Sequence, residues 1–209
     1  MGFLHELFGP SREEVWRELC QQINAQYVDG GFWKGDKILA QAGQWTITLD
    51  TYTVSNQNSA SHTTSSTTYT RMRAPYINRD GLRFKICRTG LLSGLGTWLG
   101  GQDIEIGEPM FDQAFVIKGN NEDKVRQLLA NPRIRQLMHA QDRIEFAVKD
   151  DEGWFGQTFP QGVDELYFSA MGDIRDAEQL RSLYELFAET LNHLCHIGSA
   201  YEDDPQLEL

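Results

Sequence analysis

Five carboxylates near the end of the chain form two short clusters, and they are the residues most able to do chemistry. Asp150, Asp151 and Glu152 are consecutive, and Asp164 with Glu165 follows one connection later. Carboxylates gathered in this way could bind Mg²⁺ or Ca²⁺, or carry out acid–base catalysis. The alternating ligands and closing glutamate of an EF-hand are absent. Acids in surface turns are usually solvated, so we interpret both clusters as hairpin charges and keep a metal-dependent hydrolase as an alternative.

Two histidines lie three residues apart near the end of the last helical pattern. His193 and His196 would share one helical face and could offer both imidazoles to zinc. A helix C-terminus also favours histidine through its dipole, and Cys195 between them points to the apolar side. A zinc site would need further ligands that the sequence does not indicate. We therefore expect no metal and no cofactor.

The sequence contains no recognisable nucleophile motif. The cysteines Cys20, Cys87 and Cys195 include no CxxC pair, and neither His62 nor His139 stands in a familiar catalytic context with them. A cysteine on a strand or helix face is usually part of the core, and reduced thiols fit a cytoplasmic protein. We therefore predict no catalytic residue and regard an enzyme as the less favoured class.

The segment from Thr89 to Gln102 is both glycine-rich and apolar, which is unusual for a connection. It lacks the Gly-Lys-Ser/Thr that ends a phosphate-binding loop. Its Trp and Leu side chains could pack on the core, fill a partner's groove or enter a bilayer interface. Upstream, Arg71 and Arg73 alternate along a predicted strand and would share one face. We predict a partner-binding surface made by these two arginines and by Leu91, Leu92, Leu95, Trp98 and Leu99.

A second apolar cluster precedes the first helix and consists of Phe3, Leu4, Leu7 and Phe8. It motivates the alternative of a peripheral membrane protein, with these four residues at the membrane surface. The formal net charge of -11 opposes binding to anionic bacterial lipid unless a local basic patch faces it. The same charge argues against nucleic acid, because phosphate binding needs clustered Lys and Arg. We expect a protein partner or a homo-oligomer.

The length and the pattern of the chain favour one domain. We predict a single domain over residues 1–209, with two helix-plus-sheet halves at about 10–100 and 110–198 as the alternative organisation. The N-terminus has neither the basic region nor the long apolar region of a signal peptide. Residues 55–68 are polar and of low complexity, which predicts a flexible loop, and residues 199–209 form an acidic tail.

Hydrophobic periodicity predicts the elements. From Asp176 to Ile197, apolar residues recur at i, i+3, i+4 and i+7, the pattern of a long amphipathic helix. Ser11 and Glu14 resemble a capping box that opens a first helix over residues 12–28. Alternation in several other segments, as at Trp45, Ile47 and Leu49, predicts strands. We predict an α+β fold in which helices cover a mostly antiparallel sheet, with a long C-terminal amphipathic helix.

Seven stretches have distinctive combinations of residues, namely GGFWKGDKI, WTITLDTYTV, YTRMRAPYINRDG, FVIKGNNEDKVRQLLANPRIRQL, DDEGWFG, GVDELYF and LCHIGSAYEDDP. With them the chain resembles a group of uncharacterised bacterial proteins and, more loosely, a bacterial domain of unknown function. The likeness covers nearly all of residues 1–205. It implies a bacterial, cytoplasmic protein and brings no known activity. We therefore predict a non-catalytic intracellular interaction module, an adaptor or assembly protein that binds a protein partner or itself.

Overall fold

The structure is a computed structural model that describes residues 9–31, 35–58, 63–90, 103–150, 159–207 and 209. Within these ranges the chain forms a nine-stranded antiparallel sheet and five helices, which confirms the predicted α+β class. The strands run in the order β1-β2-β3-β4-β8-β7-β5-β6, and the short β9 pairs with β4. Strand β4 therefore pairs with β3 from the first half of the chain and with β8 and β9 from the second half.

The element bounds are as follows. The helices are α1 (Arg12–Ile23), α2 (Pro109–Ala114), α3 (Glu122–Leu129), α4 (Pro132–His139) and α5 (Ala177–His196). The strands are β1 (Gln26–Val28), β2 (Lys37–Ala42), β3 (Trp45–Asn58), β4 (Thr63–Asn78), β5 (Phe84–Arg88), β6 (Phe115–Gly119), β7 (Glu145–Lys149), β8 (Val163–Met171) and β9 (Ala200–Tyr201).

One row of apolar side chains crosses the sheet and faces the helices. Each member pairs with the next through the strand register, and all are buried: Ile38, Leu49, Met72, Phe168, Phe146, Ile86 and Ile117. Successive residues of a strand point to opposite faces, so this row fixes which residues face away from the helices. The sheet thus has one face covered by helices and a second face that we call the polar face.

The C-terminal helix α5 packs against α1 and α4 and supplies much of the core, as its periodicity predicts. Its N-cap Asp176 accepts hydrogen bonds from the backbone N–H groups of Glu178 and Gln179. The fully buried Phe187 meets Phe146 of β7 edge to face, with ring centroids 5.6 Å apart. Aromatic contact of this kind adds to the stabilisation from burial and anchors α5 to the middle of the sheet.

The first helix is shorter than its sequence pattern predicts. Ser11 and Glu14 form the expected capping box, but α1 ends at Ile23. Asn24 adopts a left-handed conformation with φ of 51°, which asparagine tolerates better than most residues. The chain then turns into β1, which pairs with β2, so sheet pairing replaces the last predicted helical turn.

The predicted loop over residues 55–68 is too long. Residues 55–58 belong to β3 and residues 63–68 to β4, and the two strands pair as far as Asn58 and Thr63. Facing hydroxyl groups support the pairing, with 3.2 Å between the Oγ1 atoms of Thr53 and Thr68. Threonine favours strands, and cross-strand hydroxyl pairs stabilise them, so residues 55–58 and 63–68 form paired strands although the stretch is polar.

The predicted acidic tail begins inside the fold. Ser199 is fully buried and its hydroxyl donates to Asp80 over 2.9 Å. The next two residues form β9 on the edge of β4. Near the end of the chain, the Lys37 ammonium donates to the carbonyl of Leu209 over 2.7 Å. The residues around Ser199 are therefore structural, because they join the end of α5 to the sheet.

We expect Phe187→Ala to lower the free energy of unfolding by about 3–5 kcal/mol, because it leaves a cavity between α5 and the sheet. Urea denaturation measures this change. Met110→Ala is the control, since Met110 is 73% exposed. Equal small effects of the two variants would contradict the packing described for α5.

Candidate functional site

The polar face carries two rows of charged and polar side chains that the register places side by side. One row runs through Asp50, Arg71, Ser169, Glu145 and Cys87. The neighbouring row runs through Thr48, Arg73, Tyr167, Ala147 and Lys85. These residues come from two parts of the sequence, β3, β4 and β5 in one and β7 and β8 in the other, and the order of the strands in the sheet brings them together.

Asp50 binds two arginines at the centre of this face. The Arg71 guanidinium donates from Nε and Nη2 to the two Asp50 oxygens, each over 2.8 Å. Arg73 donates from Nη2 to Oδ2 of the same carboxylate over 2.7 Å. A fork of this geometry is the strongest arrangement that arginine and a carboxylate can form. Arg71 and Arg73 share one face, as their alternation predicts, but the sequence pattern did not indicate Asp50 as their common partner.

Two consecutive acids of β8 point to opposite faces and have different environments. Asp164 accepts a hydrogen bond of 2.5 Å from the Asn78 amide and lies 3.7 Å from Arg83, which also pairs with Asp150. Glu165 lies on the polar face and is 1% exposed. The strand pleat therefore separates these two carboxylates, and Arg83 joins Asp150 to Asp164 as an ion-pair network.

Glu165 has an unusual environment for a carboxylate. Burial raises its pKa to about 7, although Arg73, Lys149 and Arg71 favour the charged form. Its Oε2 atom accepts no hydrogen bond from any residue that the structure describes. Because burial of a charged carboxylate is costly, the protonated form of Glu165 is stabilised up to near-neutral pH.

Lys149 lies beside this acid and contacts an aromatic ring. Its Nζ atom is 3.0 Å from the centroid of the Tyr167 ring and 3.7 Å from Glu145. Burial lowers the pKa of Lys149 to about 8, while Glu145 and Glu165 oppose the shift. The side chain as a whole is still 28% exposed. Lys149 is therefore a cation held at a fixed position by a ring and a carboxylate.

Next to Lys149 the polar face forms a groove of about 430 Å³, which we call the tyrosine groove. Tyr52 and Tyr69 stack with centroids 5.1 Å apart, and the hydroxyl of Tyr167 lies 3.4 Å from that of Tyr52. Arg71 covers the Tyr52 ring at 5.1 Å. The described lining consists of Tyr52, Val54, Tyr69, Cys87, Arg143, Ile144, Glu145, Lys149, Tyr167, Ser169, Ala170 and Met171.

The tyrosine groove combines exposed apolar side chains with an excess of positive charge. Val54 is 40% exposed and Met171 is 53% exposed, which is high for large apolar residues. The charged residues of the described lining are the basic Arg143 and Lys149 and the acidic Glu145. In a chain with a formal net charge of -11, a surface with one extra positive charge is distinctive. The groove is therefore suited to a ligand that is apolar in part and anionic in part.

The structure leaves several predicted residues untested. The apolar residues Leu91, Leu92, Leu95, Trp98 and Leu99 lie outside the described ranges, and so do Phe3, Leu4, Leu7 and Phe8. Their roles at a partner or membrane surface stay predictions. No helix in the described ranges is both long and apolar enough to cross a membrane.

The histidine pair of α5 forms an aromatic contact. The rings of His193 and His196 stack with centroids 5.4 Å apart, and Nε2 of His193 lies 3.2 Å from the carbonyl of Gln127. Among the residues that the structure describes, no group of three or more His, Cys, Asp or Glu side chains is placed to hold a metal ion.

The sequence reading missed the tyrosine groove, although a local signal was present. In β3, the alternate positions that face away from the helices include Tyr52 and Val54. In β8, they include Glu165, Tyr167 and Ser169. Aromatic and charged residues at these alternate positions indicate a second face with its own contacts. This alternation predicts which residues share a face of each strand, but it does not predict which strands are neighbours in the sheet.

Comparison with protein-family models, with curated proteins and with solved structures gave no match for this chain. The resemblance to uncharacterised bacterial proteins therefore stays a prediction.

The pKa of Glu165 predicts how stability depends on pH. Between the ordinary value of 4.5 and about 7, the folded protein keeps a proton that the unfolded chain releases, so rising pH favours unfolding. Glu165→Gln removes this titration. We expect the stability of the wild type relative to this variant to fall by about 3 kcal/mol between about pH 4 and pH 8. Urea denaturation across this range measures it, and parallel pH profiles would contradict the environment described for Glu165.

Proposed function

We propose that this protein is a non-catalytic, intracellular interaction module that binds an extended segment of a partner protein in the tyrosine groove. The observation that supports the proposal most strongly is the combination of stacked tyrosines, exposed Val54 and Met171, and a fixed Lys149 within one groove. Tyrosine is enriched where proteins bind one another because its ring supplies apolar area and its hydroxyl supplies a hydrogen bond.

The chemistry of the groove favours a segment with both apolar and acidic side chains. The rings of Tyr52 and Tyr69 offer a flat apolar surface, and Lys149 offers a charged donor at its edge. A carboxylate bound to an ammonium forms a charge-assisted hydrogen bond, which is stronger than a neutral one. A volume of about 430 Å³ suits a few side chains of a peptide rather than a whole folded surface.

The neighbouring ion pairs support this role by holding the groove in shape. Arg71 is fixed by Asp50 on one side and covers the ring of Tyr52 on the other. Tyr52 in turn contacts both Tyr69 and Tyr167. Side chains that are already ordered before binding lose less conformational entropy when the ligand arrives. This order of the side chains supports the proposed role in recognition.

The direct test uses short synthetic peptides that alternate leucine or phenylalanine with aspartate. Fluorescence anisotropy of the labelled peptide, titrated with the full chain, measures the dissociation constant. We expect Lys149→Gln to weaken binding by about tenfold, the usual effect of losing one hydrogen bond to a charged group.

Lys118→Gln is the matched control, because Lys118 pairs with Asp103 and does not line the groove. It should bind the peptide as the wild type does. A second peptide with lysine in place of aspartate should bind more weakly than the acidic one. Equal binding of the acidic and basic peptides, or equal effects of the two lysine variants, would contradict the proposal.

A further inference from the structure

The paired strands β3 and β4 extend beyond their neighbours as a two-stranded arm, defined here as residues 50–58 and 63–69. Strand β2 pairs with β3 only as far as Leu49, and β8 pairs with β4 only from Thr70. The paired segments continue to Asn58 and Thr63. At about 3.3 Å per residue, the arm is about 30 Å long.

The two edges of the arm differ at its base. On the β4 side, Gly172 donates its N–H to the carbonyl of Thr68 and accepts from the hydroxyl of Thr70, each over 2.8 Å. On the β3 side, no described strand pairs with residues 51–58. Every second residue of a strand directs its N–H and C=O groups to that side. Beyond Thr51, whose hydroxyl accepts a hydrogen bond from Arg12, the outer edge of β3 therefore has backbone donors and acceptors that no described strand pairs with.

The sequence of this edge lacks the residues that often prevent strand pairing. Residues 51–70 contain no Asp, Glu, Lys or Arg, although charged residues make up 23% of the chain. They also contain no Pro and no Gly. Natural proteins often block free edges with lysine or proline. A long edge without charge or proline is typical of a surface that pairs with a strand.

The side chains along the edge of β3 are complementary to those of a second β3. Along β3, Thr51, Thr53 and Ser55 lie on one face, while Tyr52 and Val54 lie on the other. Antiparallel pairing about a two-fold axis places each face beside the same face of the other copy. Hydroxyls then meet hydroxyls, and the exposed Val54 meets an apolar neighbour.

The arm already uses this chemistry internally. The hydroxyls of Thr53 and Thr68 face each other across β3 and β4, and so do those of Ser55 and Ser66 at 3.1 Å. A second β3 on the outer edge would repeat the same hydroxyl pairing. Two chains that each carry a formal net charge of -11 repel elsewhere, so a neutral arm is where they can approach most closely.

We infer that a second copy of this chain binds along the outer edge of β3, with the two β3 strands antiparallel, and joins two sheets into one. The contact is small by the standards of stable dimers, so it forms a concentration-dependent dimer. It does not depend on the proposed binding of a partner in the tyrosine groove, because it is made by backbone groups along the edge of β3. The second Val54 would also extend the apolar end of the groove.

Sedimentation velocity of the full chain, without peptide, tests this inference over about a hundredfold range of concentration. We expect a shift from monomer to dimer. Ser55→Lys places a charge on the free edge and should raise the dissociation constant by about tenfold or more. Ser66→Lys is the matched control, because Ser66 lies directly opposite on β4, away from the outer edge of β3. It should change the dissociation constant by less than about threefold.

Hydrogen exchange gives a second readout that does not depend on a variant. Amides of residues 51–58 should exchange at least several-fold more slowly at high protein concentration, whereas those of the Thr63–Thr67 segment should change less. A wild-type chain that stays monomeric over the whole range, or equal effects of the two serine variants, would overturn the inference. Peptide binding can fail with the dimer intact, and the dimer can fail with peptide binding intact, so the two proposals are separable.

Discussion

The contact of Asp50 with Arg71 and Arg73 is the interaction on which the polar face depends. It joins β3 to β4 just beyond the last residue that pairs with β2, where the arm leaves the sheet. It also fixes the guanidinium group that covers the ring of Tyr52. Removal of this carboxylate would leave both guanidinium groups without their shared anion. This loss would be costly for Arg73, which is only 4% exposed. The ion pair therefore couples the central sheet, the arm and the tyrosine groove.

The asymmetry of the sheet explains why such a face exists. The helices α1, α3, α4 and α5 pack on one side and satisfy that face with apolar contacts. The other side is ordered by ion pairs and by aromatic contacts, as between Lys85 and Glu145 and between Lys149 and Tyr167. Groups that satisfy one another in fixed positions form a surface that is both polar and well ordered. Such a surface can recognise a ligand at a low entropic cost, and this is the link between the fold and the proposed function.

Local patterns predicted the class of the fold and the long helix α5, because periodicity records which side of an element is buried. They also placed Arg71 and Arg73 on one face. They could not place Glu165 and Tyr167 beside Arg73, since that contact follows from the pairing of β4 with β8, about ninety residues apart. The lack of apolar anchors in residues 55–68 predicts a loop. Strand pairing and hydroxyl contacts stabilise its described residues 55–58 and 63–68 instead, and neither is visible in composition.

The most direct test of peptide binding on the polar face is a nuclear magnetic resonance titration of the tyrosine ring signals with the alternating acidic and apolar peptide. Binding should shift the signals of Tyr52, Tyr69 and Tyr167, which line the groove. Tyr76, which is fully buried on the helical side, and Tyr201 of β9 should not respond. Unchanged spectra at saturating peptide, or shifts confined to tyrosines outside the groove, would contradict the claim that the polar face is the binding surface of this protein.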